Sequence, residues 1–269
     1  MHYLLKQLIP PILHTLRWYS FKYGWKGDYI SFAEANQKTT GYDADHILDR
    51  IITTNRKIVN GEIKYERDGI LYEKPKMNFN LLSSLLYIAS LREQELCVLD
   101  FGGSLGTSFY HVSPYLSQLK KLEWCIVEQP NYVAAGRKEF ETAQLQFYTS
   151  IEECMQYHKP DIIIFSASIQ YIEETYSLLD RVRKCGIPYL LFDFMAYNDE
   201  DRDRIAIQHV PPVFYGVEAS YTCWFYNKLK MFGWLEQYYT MLYDFISEPD
   251  LYYLELKPFK YEGQLWKLN

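Results

Sequence analysis

The sequence is short of positive charge: 28 Lys and Arg stand against 34 Asp and Glu, a formal net charge of -6. Such a chain has no basic footprint for a phosphate backbone, which sets nucleic acid aside as a substrate. Long apolar runs are missing as well. The apolar segment Met1 to Trp18 is interrupted by Lys6, Gln7 and the pair Pro10-Pro11, and no small-residue cleavage site follows it. It is too short and too broken for a membrane span or a signal peptide. Leu4, Leu5, Leu8, Ile9, Ile12, Leu13 and Leu16 can make a weak contact with a membrane surface through residues 1–18 or lie against a partner. Packing on the protein's own body is the preferred reading. The five cysteines, Cys97, Cys125, Cys154, Cys185 and Cys223, include no Cys-x-x-Cys pair and no His partner at ligand spacing. They read as small core hydrophobes in a reducing, cytoplasmic setting, with no metal site expected. There is no internal repeat and no low-complexity linker.

What is present is a globular composition, 48% hydrophobic and 23% charged over 269 residues, enough for one large domain or one domain with an added cap. The 26 tyrosines suit a sugar-binding or ring-binding surface, or reflect compositional bias. The chain is organised around Leu96 to Gly106, Leu-Cys-Val-Leu-Asp-Phe-Gly-Gly-Ser-Leu-Gly. The apolar run Leu96 to Leu99 predicts a buried parallel strand with Asp100 at its carboxyl end. Phe109, Val112, Leu116 and Leu119 recur at helical spacing, so the glycines fall between a strand and a helix. Glycines there let a backbone approach a ligand closely, beyond the strand ends where open α/β sheets bind. A dinucleotide fingerprint needs glycine where Phe101 stands, which counts against a nicotinamide or flavin site.

A second strand, Trp124 to Val127, ends on Glu128 and Gln129 before Pro130. An acid about 20 residues past the last glycine is where such folds hold a ribose diol, and a carboxylate can accept from both hydroxyls. The alternation continues with a helix Val133 to Phe140, strand Leu145 to Tyr148, helix Ile151 to Tyr157, strand Asp161 to Phe165, helix Glu173 to Lys184 and strand Tyr189 to Phe192 ending on Asp193. This β-α repetition predicts a parallel sheet covered on both faces. Trp234 to Tyr243 and Leu251 to Lys257 read as a closing antiparallel hairpin. Upstream, a helix is expected from Asp43, as its cap, to about Asn60, then a polar stretch Lys64 to Pro75 that can form a hairpin, then a helix Asn80 to Leu91. Residues 1–92 thus read as an N-terminal helical cap and residues 93–269 as the α/β domain.

The loop Asp100-x-Gly102-Gly103-x-x-Gly106 resembles the first motif of the class I S-adenosylmethionine-dependent methyltransferases, where it wraps the methionine and ribose end of the cofactor. Trp25-x-Gly27-x-Tyr29, Gly41-Tyr42-Asp43, Val127-Glu128-Gln129-Pro130, the stretch Ser166 to Tyr171 and Gln208-His209-Val210-Pro211-Pro212 resemble a little-characterised bacterial methyltransferase family linked to surface polysaccharide genes. That family has Arg where this chain has Phe194 and Pro where it has Thr222. The resemblance implies a Rossmann-like seven-stranded sheet and S-adenosyl-L-methionine as cofactor. Asp100, Gly102, Gly103, Ser104, Gly106, Glu128 and Gln129 would bind it. Thr149 and Ser150 would lie near the adenine, and Ser166 and Ser168 near the methyl group, although each of these hydroxyls can instead cap a turn or helix.

Methyl transfer is an in-line displacement that mainly needs aligned reactants and excluded water, with a base required only for a weak nucleophile such as a hydroxyl. His209, in a loop-like stretch, is the first candidate base because imidazole titrates near neutrality, with Asp193 and Tyr215 behind it. The expectation is O-methylation of a small or glycan-type acceptor. The alternatives are a cofactor-binding protein without catalysis, a nicotinamide-dependent oxidoreductase and a membrane-associated scaffold.

Overall fold

The computed structural model describes residues 23–40, 44–62, 65–67, 70–72 and 77–269. The expectations for Met1 to Trp18 and for an Asp43 cap fall outside these residues. The chain begins with β1 (Gly24–Tyr29), a short helix Phe32–Asn36, a long helix Ala44–Val59, the small hairpin β2 (Tyr65–Arg67) and β3 (Ile70–Tyr72), and a helix Phe79–Ser90. Then come β4 (Glu95–Phe101), β5 (Lys121–Val127), β6 (Leu145–Tyr148), β7 (Ile162–Ser166) and β8 (Tyr189–Met195), with helices Thr107–Val112, Pro130–Glu139, Ile151–Tyr157 and Thr175–Lys184 in the intervals. The last part holds β9 (Tyr197–Asn198), β10 (Arg204–Val210), β11 (Ala219–Asn227), a helix Lys228–Leu235, β12 (Tyr239–Ile246), β13 (Tyr252–Leu254), β14 (Lys257–Phe259) and β15 (Glu262–Leu268).

The main sheet has seven strands in the order β12-β15-β8-β7-β4-β5-β6. Strands β4 to β8 pair in parallel, and β15 runs against both β8 and β12. This is the Rossmann-like sheet with a closing antiparallel pair that the sequence predicts. Every residue of β8 is buried, as a strand covered on both faces requires. Alternate strand residues feed two cores. Val98, Trp124, Ile126, Ile164 and Leu191 pack under helices Ala44–Val59 and Phe79–Ser90 through Ile47, Ile51 and Leu85. Leu99, Val127, Ile163, Phe165 and Phe192 pack with Ile151, Leu179 and Leu235 on the other face.

Three sequence expectations change. The partner of β12 in the closing pair is Glu262–Leu268, whereas Tyr252–Leu254 leaves the main sheet. The second sheet that receives it has the order β14-β13-β1-β10-β11-β9. The region 1–92 is therefore not a purely helical cap, because β1 pairs with β10 and β13 from far along the chain. Finally, Arg204–Val210 is a strand rather than a loop: Ile205 and Ile207 point to one side, against Phe32 and Ala35, and stay buried. Trp25 anchors this second sheet, meeting Phe225, Tyr252, Phe259 and Tyr261 edge-on at 5.3–6.5 Å between ring centres. Among the described residues no helix is long and apolar enough to cross a membrane.

Candidate functional site

The second sheet sits across the carboxyl ends of the parallel strands, and a cleft of about 1130 Å³ runs between the two. Its floor is the turn after β4. Gly102, Ser104 and Gly106 all take positive φ, at 71°, 55° and 100°, so the chain alternates through the left-handed region before the helix at Thr107. Glycine adopts that region freely, whereas Ser104 does so at a cost of ~1–2 kcal/mol. Of the six described non-glycine residues with positive φ, Ser104, Ala167 and Phe194 line this one cleft, at the ends of three different parallel strands. Strain gathered in this way marks a functional locus.

Glycines 102 and 103 are needed for space. A Cβ on Gly102 would stand 2.6 Å from the Cβ of Ser168, and one on Gly103 would stand 2.5 Å from the carboxyl carbon of Asp100. Gly106 takes the left-handed N-cap position and touches Leu145, so it shapes the turn from beneath without lining the cleft.

Two acids meet this turn. Glu128, just past β5, accepts from the backbone N–H of Ser104 at 3.3 Å and from its neighbour Gln129 at 2.8 Å. Burial pushes its carboxyl above the usual range, against the pull of those two N–H groups. Asp100 is buried at 1% exposure, and the indole of Trp124 donates to its Oδ2 at 3.2 Å. Burial pushes its carboxyl up to about 7; the Trp124 bond opposes this, and the charge of Glu128 adds to it. Both carboxylates and Gln129 line the cleft.

The remaining sequence candidates divide. Ser166 and Ser168 line the cleft, and the buried Ser168 hydroxyl has no hydrogen-bond partner among the described residues. Thr149 lines it too, while its N–H and hydroxyl both donate to Glu153 at 2.7 Å. Ser150 caps the helix Ile151–Tyr157 by accepting from Glu153 N at 3.0 Å and stands outside the lining.

Of the three expected bases, Asp193 and His209 do not line the cleft. Asp193 accepts from Asn78 Nδ2 at 2.6 Å and from Phe194 N at 3.0 Å, which ties β8 to the cap of helix Phe79–Ser90. It does not line the cleft, although Asn78 and Phe194 do. His209 lies in β10 opposite Gly24 and Ser220, and the strand alternation turns its neighbour Gln208, not His209, into the cleft. Tyr215 belongs to the short helix Pro212–Tyr215, with its side chain outside the described residues.

The sequence reading reached Tyr171, through the stretch Ser166 to Tyr171, but missed most of the wall facing the turn. Tyr171 donates to Gln208 at 2.6 Å and meets the Tyr221 ring edge-on at 6.0 Å. Thr222 donates to Asn36 at 2.6 Å. His111, from the helix after the glycine turn, is a cleft residue that the sequence reading did not single out. The period-two pattern of Ile205, Ile207 and the aromatic run Tyr221 to Tyr226 carried the signal for this wall.

No protein-family model and no curated protein matches the chain. Among solved structures it is similar to magnesium protoporphyrin IX methyltransferase from Synechocystis PCC 6803 with bound SAM, at 13% identity and TM-score 0.46 over 82% of this chain and 97% of that one. It is also similar to the N-terminal domain of EvdMO1, determined with SAH and D-fucose, at 13% identity and TM-score 0.48 over 83% and 99%. A third is SAM-bound CalS10, an amino pentose methyltransferase from Micromonospora echinaspora, at 9% identity and TM-score 0.45 over 71% and 91%.

Proposed function

We propose that this protein is a methyltransferase that takes S-adenosylmethionine in the cleft and methylates a small or glycan-type acceptor at oxygen. The observation that carries the reading is the Glu128 carboxylate held 3.3 Å from the Ser104 N–H. It places a multiple acceptor beside a glycine turn, the arrangement that suits a ribose diol. The residues fit the cofactor in two further respects: Gly103 leaves open the space next to the Asp100 carboxyl, and the unpartnered Ser168 hydroxyl offers a polar contact. Asp100, Gly102, Gly103, Ser104, Glu128 and Gln129 would hold it, with Thr149 toward the adenine and Ser166 and Ser168 toward the sulfonium.

When bound, S-adenosylmethionine supplies an electrophilic methyl group on a positively charged sulfur. The chain's part is alignment and the exclusion of water. Asp100 and Glu128 offer negative charge to a cationic ligand once ionised. The wall of Trp25, Tyr171, Tyr221, Tyr252 and Tyr261, interspersed with Asn36, Gln208 and Thr222, suits a sugar: ring faces cover its C–H surfaces while amides and hydroxyls meet its hydroxyl groups. Phe194 and Thr222, the two positions that depart from the resembling family, both belong to this wall and so bear on the acceptor.

Calorimetry with S-adenosylmethionine, S-adenosylhomocysteine and NAD separates the readings. Binding of the first two, weakened roughly 10–100-fold in Glu128→Ala for the loss of a charge-assisted contact, supports the assignment. Binding of NAD alone, or an unchanged Glu128→Ala, overturns it. Binding without turnover across a broad acceptor panel leaves the silent cofactor-binding protein.

A further inference from the structure

A second group of reactive side chains lies along the same two strands. Cys97 of β4 stands three residues before Asp100, and Cys125 of β5 stands three residues before Glu128. The ligating atoms of Cys97, Cys125 and His158 all lie within 4.8 Å of one another. Cys154, from the helix Ile151–Tyr157, packs in the same buried cluster as Cys97 and Cys125. The reading of these cysteines as core residues holds, and His158 adds an imidazole beside two of the thiols.

We propose that Cys97, Cys125 and His158 form a zinc site. Zinc bonds of about 2.3 Å to sulfur and about 2.0 Å to nitrogen in a tetrahedron separate the ligand atoms by roughly 3.5–3.8 Å, inside the observed spread. Two thiolates and an imidazole are three of the four donors a tetrahedral zinc takes, and a water would supply the fourth. A site of this kind also needs a supporting shell and an entry path. The supporting shell is present: the Glu123 carboxylate lies 3.3 Å from His158 Nδ1, and Tyr148 and Gln146 each stand 2.7 Å from Nε2, so the ring is oriented from both sides. Metal at one nitrogen displaces the partner there and keeps the other. A second cleft of about 440 Å³, distinct from the cleft at the carboxyl ends, reaches Cys97 and Glu123. Zinc bound here would clamp β4 to β5 and to the following helix, steadying the pair of strands that present Asp100 and Glu128.

Cobalt(II) and zinc(II) added to the reduced, full-length protein test this. The expected result is one equivalent of cobalt with the thiolate charge-transfer and strong visible absorption of a tetrahedral site, displaced by zinc, and lost in Cys125→Ser and His158→Gln. Because a core serine can unfold the protein, Glu123→Gln is the third variant: it leaves the three ligands in place and is expected to weaken zinc roughly 10–100-fold. Absence of the thiolate band in folded wild-type protein, equal metal binding by wild type and all three variants, or a Cys97–Cys125 disulfide in the reduced preparation's place would each overturn the proposal.

Discussion

The Trp124 indole N–H donates to Asp100 Oδ2 across 3.2 Å, from one buried strand to the next. This bond opposes the burial that pushes the carboxyl up to about 7.

A pH dependence follows. Between its ordinary value of 3.8 and about 7, Asp100 keeps its proton in the folded chain and has lost it in the unfolded one. The unfolded state then binds fewer protons, so this group makes stability fall as pH rises through that window, and no further above it. Urea unfolding from pH 4 to 8 is expected to show a slope that Asp100→Asn flattens and Trp124→Phe steepens. Affinity for a cationic cofactor should run the other way, increasing as pH passes about 7. An Asp100→Asn profile parallel to the wild type would refute the assignment.

Gly103→Ala pushes a methyl group against the Asp100 carboxyl, 2.5 Å from its carbon. Cofactor affinity is expected to drop about tenfold or more, read by calorimetry. The control is Gly233→Ala, in the helix Lys228–Leu235, where a Cβ would meet nothing within 4 Å and should leave binding alone.

Ser104→Gly relieves a left-handed serine while keeping the backbone N–H that Glu128 accepts. The relief of ~1–2 kcal/mol is partly offset by ~0.5–1 kcal/mol of added chain entropy. A rise in stability of at most about 1 kcal/mol, with cofactor affinity within twofold of wild type, is expected from urea titration and calorimetry.

Asp193→Asn separates positioning from catalysis. An amide cannot accept at both of its terminal atoms, so either Asn78 Nδ2 loses this acceptor or Phe194 N is left with Ser247 Oγ, which it already meets at 3.0 Å. The expected outcome is a stability loss of about 1–3 kcal/mol with S-adenosylmethionine binding retained. Lost turnover at unchanged stability would instead restore Asp193 to the role of base.

The central strands and their order of types were legible because a strand buried on both faces must be apolar along its whole length, as Ile162 to Phe165 and Tyr189 to Phe192 are. The acids were legible because chain direction alone puts Asp100 and Glu128 at strand ends. The wall opposite them was not. Strands β1, β10 and β13 pair across separations of well over a hundred residues or alternate polar and apolar positions, and no local pattern says which distant strand completes the sheet. His209 looked like a loop residue for the same reason: its strand exists only because Gly24 and Ser220 flank it. The thiol cluster escaped notice because Cys97 and Cys125 become neighbours through strand pairing, not spacing.

Strand β1 is clasped between β10 and β13, so the roof over the turn draws on residues near Trp25 and residues near Leu254 at once. During synthesis the strands carrying the two acids leave the ribosome more than a hundred residues before β13 does, so β1 waits that long for its second neighbour. A ribosome stalled before Tyr252 therefore leaves the roof short of a strand, with aromatic residues open to chaperones.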